Sequence, residues 1–75
     1  MTVTASGTAQ SGTASTIVLA SASTFGDDIL NGQTIALTGG TGAGQARLIT
    51  DYVGSTDTAT VTPAWITNPS SDSVY

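Results

Sequence analysis

The stretch GGTGAGQARLITDYV, residues 39–53, decides the fold. Laid on the phosphate-loop pattern, Gly39 and Gly44 stand five positions apart, as that loop requires. A lysine and then a serine or threonine should follow, but Gln45 and Ala46 occupy those places. Both the phosphate-binding charge and the Mg²⁺-binding hydroxyl are missing. A phosphate loop also leads from a strand into a helix whose N-terminus faces the anion. The residues after this loop, Arg47 to Val53, are rich in β-branched and aromatic side chains and carry no 3.6-residue period. They read as a strand. The dinucleotide fingerprint fails too: with Gly40 and Gly42 as its first glycines, the third would fall at Gln45. The stretch is read as a strand–glycine loop–strand hairpin, its glycines supplying positive φ for a sharp or bulged reversal. No nucleotide is expected there.

Working outward, QTIALT at 33–38 forms the strand before the loop, with Ile35 and Leu37 on one face. Within 46–53, strict alternation places Arg47, Ile49 and Asp51 on one face and Leu48, Thr50 and Tyr52 on the other. A polar turn, Gly54 to Asp57, leads into DTATVTPAW at 57–65, ended or bulged at Pro63, which cannot donate to a ladder. Upstream, STIVLA at 15–20 is a strand with Ile17 and Leu19 facing one way and Val18 the other. Ser73-Val74-Tyr75, after the turn at 68–72, begins a last strand. Between the strands at 15–20 and 33–38, Ser23 or Thr24 can cap one helical turn over roughly Thr24 to Leu30, with Asp27 and Asp28 near its positive end. Phe25, Ile29 or Leu30 would pin it to the core, and Asn31-Gly32 would stop it. Residues 1–14 read as a flexible or edge-strand N-terminal arm, and 15–75 as a single β domain.

Composition narrows the function classes. The chain has 75 residues, 43 of them Thr, Ser, Gly or Ala, and only 8% are charged. The β-branched residues stand in organised runs, which argues for order. Arg47 is the one cation against five aspartates, for a net charge of −4. That disfavours nucleic acid, whose backbone needs several basic residues, and anionic membrane surfaces. No apolar run is long enough for a membrane-spanning helix. No leader pattern of basic then apolar residues is visible at Met1-Thr2-Val3-Thr4. With no cysteine and no histidine, disulfides and thiolate or imidazole metal sites are excluded. A chain this short buries about 60% of its unfolded surface, so oligomerisation is the remaining means of stabilising it.

Candidate chemistry is thin. Asp27 or Asp28 with Asp51 or Asp57 could form a carboxylate pair, but no histidine or lysine stands ready to assist it. A calcium loop wants alternating oxygen ligands and a glutamate, and the chain has no glutamate. No catalytic residue, cofactor site or metal site is expected. Thr58, Thr60 and Thr62 make a threonine row on one strand face, a common solvated pattern. Tyr52 and Trp65 are either a sugar-stacking platform or packing residues, and the exposure of Trp65 discriminates the two. Arg47, Tyr52 and Trp65 are the candidate subunit-interface or binding residues. Arg47 should meet an aspartate. Asp51 lies about 13 Å away along its own strand, so the partner is expected across strands or subunits, among Asp27, Asp28 and Asp57.

From Ala5 to Tyr75 the order of elements resembles a known type. SGTASTIVLASAS and DDILNGQTIALTGG precede the glycine loop; Gly44-Gln45, Arg47, Tyr52, a Gly-x-Thr turn, Ala59-Thr60-Val61, Trp65 and a final tyrosine follow. This is similar to small β modules that recur in structural proteins of tailed bacteriophages, on heads, tails and fibres. The resemblance implies a virion structural protein made in the bacterial host cytoplasm. It would decorate or cement the capsid or form part of a fibre, as a homotrimer in contact with major capsid or fibre protein. It brings no catalytic residues. The alternative is a module that binds a host glycan. The expected fold is all-β, a small sandwich or barrel of about five to seven short strands with one short helical turn, in an oligomer.

Overall fold

The computed structural model describes residues 6–21 and 25–75. Five strands form: β1 (Ser11–Gly12), β2 (Thr16–Val18), β3 (Thr34–Ala36), β4 (Ala46–Val53) and β5 (Thr58–Thr62). They make one antiparallel sheet in the order β1-β2-β5-β4-β3, curled into a half-barrel. The all-β expectation holds, with a strand on each side of the glycine loop. β4 and β5 are the longest strands and pair with each other inside the sheet, between β2 and β3. β5 ends at Thr62, immediately before Pro63.

The C-terminus draws the sheet's edges together. Val74 bridges Thr8, ahead of β1, on one side and Gly39, after β3, on the other. Backbone bonds hold it there: Ala9 N donates to Ser73 O at 2.7 Å, Thr38 N to Val74 O at 2.7 Å and Val74 N to Gly39 O at 2.9 Å. Ala20 N donates to the Tyr75 hydroxyl at 3.0 Å. The concave side holds the core, including Ile17, Leu19, Leu37, Ile49, Tyr52 and Val61. Ile17, Leu19, Ile35 and Leu37 point inward as their alternation requires.

Two local expectations are corrected. The ladder between β4 and β5 slips between Ile49 and Asp51, leaving Thr50 as an extra residue. A bulge of this kind reverses the facing of everything beyond it. Ile49 and Tyr52 are therefore both buried, while Asp51 faces out. The expected helical turn is instead a chain of reverse turns, with Asn31 N donating to Asp28 O at 3.1 Å and Gln33 N to Leu30 O at 3.0 Å. Asp28 sits at φ 60°, a left-handed conformation that no right-handed helix accommodates. The proposed caps Ser23 and Thr24 lie outside the described residues. Leu30 is buried and Phe25 packs edge-on against Tyr52, at 6.4 Å between centroids, but Ile29 faces solvent. Gly32 does adopt positive φ, at 84°, and donates to Ile49 O at 2.8 Å.

Candidate functional site

The glycine loop is closed upon itself. Gly40, Gly42 and Gly44 all have positive φ, and Gly44 N donates back to Leu37 O at 2.8 Å. A side chain at Gly40 would collide with the backbone carbonyl of Asp72, so the two segments meet at a distance only glycine permits. The Asp72 carboxylate accepts from one amide of the loop, Thr41 N at 3.3 Å, and from the Ser70 hydroxyl at 2.5 Å. Hydrogen bonds from Ser70 and Thr41 hold the Asp72 carboxyl below the usual aspartate range. Ser73, fully buried, donates to Thr41 O at 2.6 Å and accepts from Ser70 N at 2.9 Å.

Gln45, in the place of the phosphate-loop lysine, is a clamp. Its amide nitrogen donates to Gly42 O and to Thr67 O, each at 2.9 Å. Its amide oxygen accepts from Ile66 N at 2.7 Å and Thr67 N at 3.1 Å. Together these contacts bind the loop to the segment after Trp65. An amide, with a donor end and an acceptor end, is what this position needs; an ammonium has no acceptor.

The three candidate residues divide into two groups. Arg47 and Trp65 meet, with the guanidinium 5.7 Å from the ring centroid, inside the roughly 6 Å range of a cation–π contact. Arg47 Nε donates to Ala64 O at 3.1 Å and Nη1 to Ala46 O at 2.8 Å. Main-chain carbonyls and an indole face thus take the contacts expected of an intramolecular aspartate. Trp65 is only 5% exposed, and its Nε1 donates to Thr16 O at 3.1 Å. Tyr52 lies apart in the core, 1% exposed, with its hydroxyl donating to Asp57 at 3.3 Å. Burial, with the Asp57 charge beside it, pushes the Tyr52 phenol up to about 12. Neither ring offers a free face for stacking on a sugar.

A second cluster lies at the other end of β4, where one of the carboxylate pairings that the sequence left open, Asp28 with Asp51, is brought together. Asp28 N donates to Tyr52 O at 2.9 Å, which brings the Asp28 carboxyl beside Asp51. A hydrogen bond between these two side chains, and the charges of Asp28 and Asp27, raise the Asp51 carboxyl above its ordinary range. Asp27 itself accepts from Gly54 N at 2.7 Å. Among the described residues no three acidic side chains gather as a cation site. A cavity of about 80 Å³ lies among Leu19, Leu30, Ile35, Ile49 and Tyr75. It is far below the ~300 Å³ at which small-molecule pockets begin.

No protein-family model, curated protein or solved structure matches the chain.

Proposed function

We propose that this chain is a structural module of a tailed-bacteriophage virion, decorating or cementing the capsid or contributing to a fibre, and that it acts by self-association. One observation carries the reading. The convex face of the sheet, running over Thr16, Val18, Thr58, Thr60, Leu48 and Val53, is nearly uncharged, with Asp51 as the one charge among the strand residues that face outward. Such a face costs little to desolvate, and interface cores are poor in charge for that reason. Leu48 and Val53 are exposed on it at 44% and 39%. The burial of Tyr52 and Trp65 points the same way, because both rings are used in packing. The likeness in sequence to phage β modules gives the biological setting.

Native mass measurement and sedimentation at micromolar concentration test the proposal. A trimer is the expected species. A stable, folded monomer across the whole concentration range would overturn the reading.

A further inference from the structure

We propose that copies of this chain associate head to tail, the Arg47–Ile66 end of one docking on the Asp28–Asp51 end of the next. The inference rests on the self-association reading and adds to the convex face a contact between the two ends of β4. Arg47 is the chain's only cation. Its contacts with Ala46 O and Ala64 O engage two of the five N–H groups of a guanidinium. Ile66, adjoining Trp65, is 89% exposed, far more than any other large apolar residue of the described chain. This end is therefore a cation beside an apolar knob.

The opposite end is complementary in both respects. The bond from Asp28 N to Tyr52 O, 2.9 Å, sets Asp28 beside Asp51, and the bond from Gly54 N to Asp27 Oδ1, 2.7 Å, holds Asp27 near the end of the same strand, so this end is acidic where the other carries the cation. Ile29, directly after Asp28, and Val53, two residues after Asp51, are 44% and 39% exposed and supply the apolar part. Arg47 cannot serve this cluster within one copy. Four residues of extended strand separate it from Asp51, about 13 Å. Its guanidinium is moreover turned toward Ala64 and Trp65. A second copy brings the charges together. Since the two ends are different surfaces, the contact is heterologous and closes as a ring when the rotation permits.

Charge reversal tests this on the whole chain, with sedimentation equilibrium as the readout and circular dichroism as the check on folding. Arg47→Asp, and separately Asp28→Asn with Asp51→Arg, should each raise the dissociation constant about tenfold or more. Combining all three substitutions should restore association to near the parent value, because the charges are again opposite. Arg47 also covers Trp65, so Arg47→Asp could disturb the fold. The pair Asp28→Asn and Asp51→Asn avoids that difficulty, since it alters surface carboxylates alone, and it should weaken association as well. If the parent assembles and this neutral pair leaves its dissociation constant unchanged, the head-to-tail contact is wrong while self-association stands. A triple variant that folds but does not recover association likewise overturns the head-to-tail contact. A parent that remains monomeric overturns both readings.

Discussion

Replacing Gln45 probes the answer to the glycine-loop question most directly. Gln45→Ala deletes four hydrogen bonds that hold the loop and tie it to Ile66 and Thr67. Three of the four are solvent-exposed, so water can take over the released groups, and each bond counts at the low end of the net range, about 0.5 kcal/mol. The expected loss is about 2 kcal/mol, which for a domain of this size lowers the melting temperature by roughly 8–16 °C. Thermal unfolding followed by circular dichroism measures it. Two charged variants separate geometry from electrostatics. Gln45→Lys restores the phosphate-loop lysine, but lysine has no acceptor for Ile66 N and Thr67 N. It should destabilise, and calorimetric titration with ATP and Mg²⁺ should show no saturable binding. Gln45→Glu keeps the acceptor and turns an oxygen toward the carbonyls of Gly42 and Thr67, so it should also melt below the parent. A Gln45→Ala protein that melts within about 3 °C of the parent would refute the clamp. Micromolar ATP binding by the parent or by Gln45→Lys would refute the loop's assignment.

Gly40→Ala should cost more than about 2 kcal/mol in denaturant unfolding, combining left-handed strain with collision against Asp72; Gly44→Ala, with open space around it, should cost only about 1 kcal/mol. For Tyr52 the folded phenol titrates near 12, above its unfolded value of 10. The stability it contributes is complete below pH 10 and lost as pH rises toward 12. Ultraviolet titration of a Tyr75→Phe variant should show no phenolate near pH 10 until the fold is lost. Asp72 has the opposite sign. Its folded pKa is lowered, so its contribution is present above the ordinary aspartate range and lost as pH falls through the folded value. Asp72→Asn should therefore flatten the acid limb of the stability profile, measured by urea unfolding from about pH 2 to 6. Trp65→Ala should cost about 3–5 kcal/mol, since it empties a buried site and removes the bond to Thr16 O.

The all-β class and the inward faces of β2 and β3 were legible in the sequence, because alternation is a local property: Ile17 with Leu19, and Ile35 with Leu37, announce their face within a few residues. The strand after the glycine loop was legible for the same reason, and with it the failure of the phosphate-loop match at Gln45. Pro63 marked the end of β5 because a missing N–H acts where it stands. The bulge at Thr50 was not legible. Alternation alone put Tyr52 on the face of Leu48, opposite Ile49, and only pairing with β5 reveals the extra residue that brings Tyr52 and Ile49 to the same, buried side. Nor was the short segment of reverse turns legible, because Asp28 takes its left-handed conformation while bonded to the distant Tyr52 O. The same holds for what occupies the candidate site. That Gln45 reaches Thr67 and that Thr41 N meets Asp72 are contacts between segments far apart in the chain, and the bond from Asp28 N to Tyr52 O selects Asp28 with Asp51 from the carboxylate pairings that the sequence left open. Periodicity records which way each side chain points relative to its neighbours; which distant segment it then meets is set by the curl and closure of the sheet, and that was decided only by the tertiary structure.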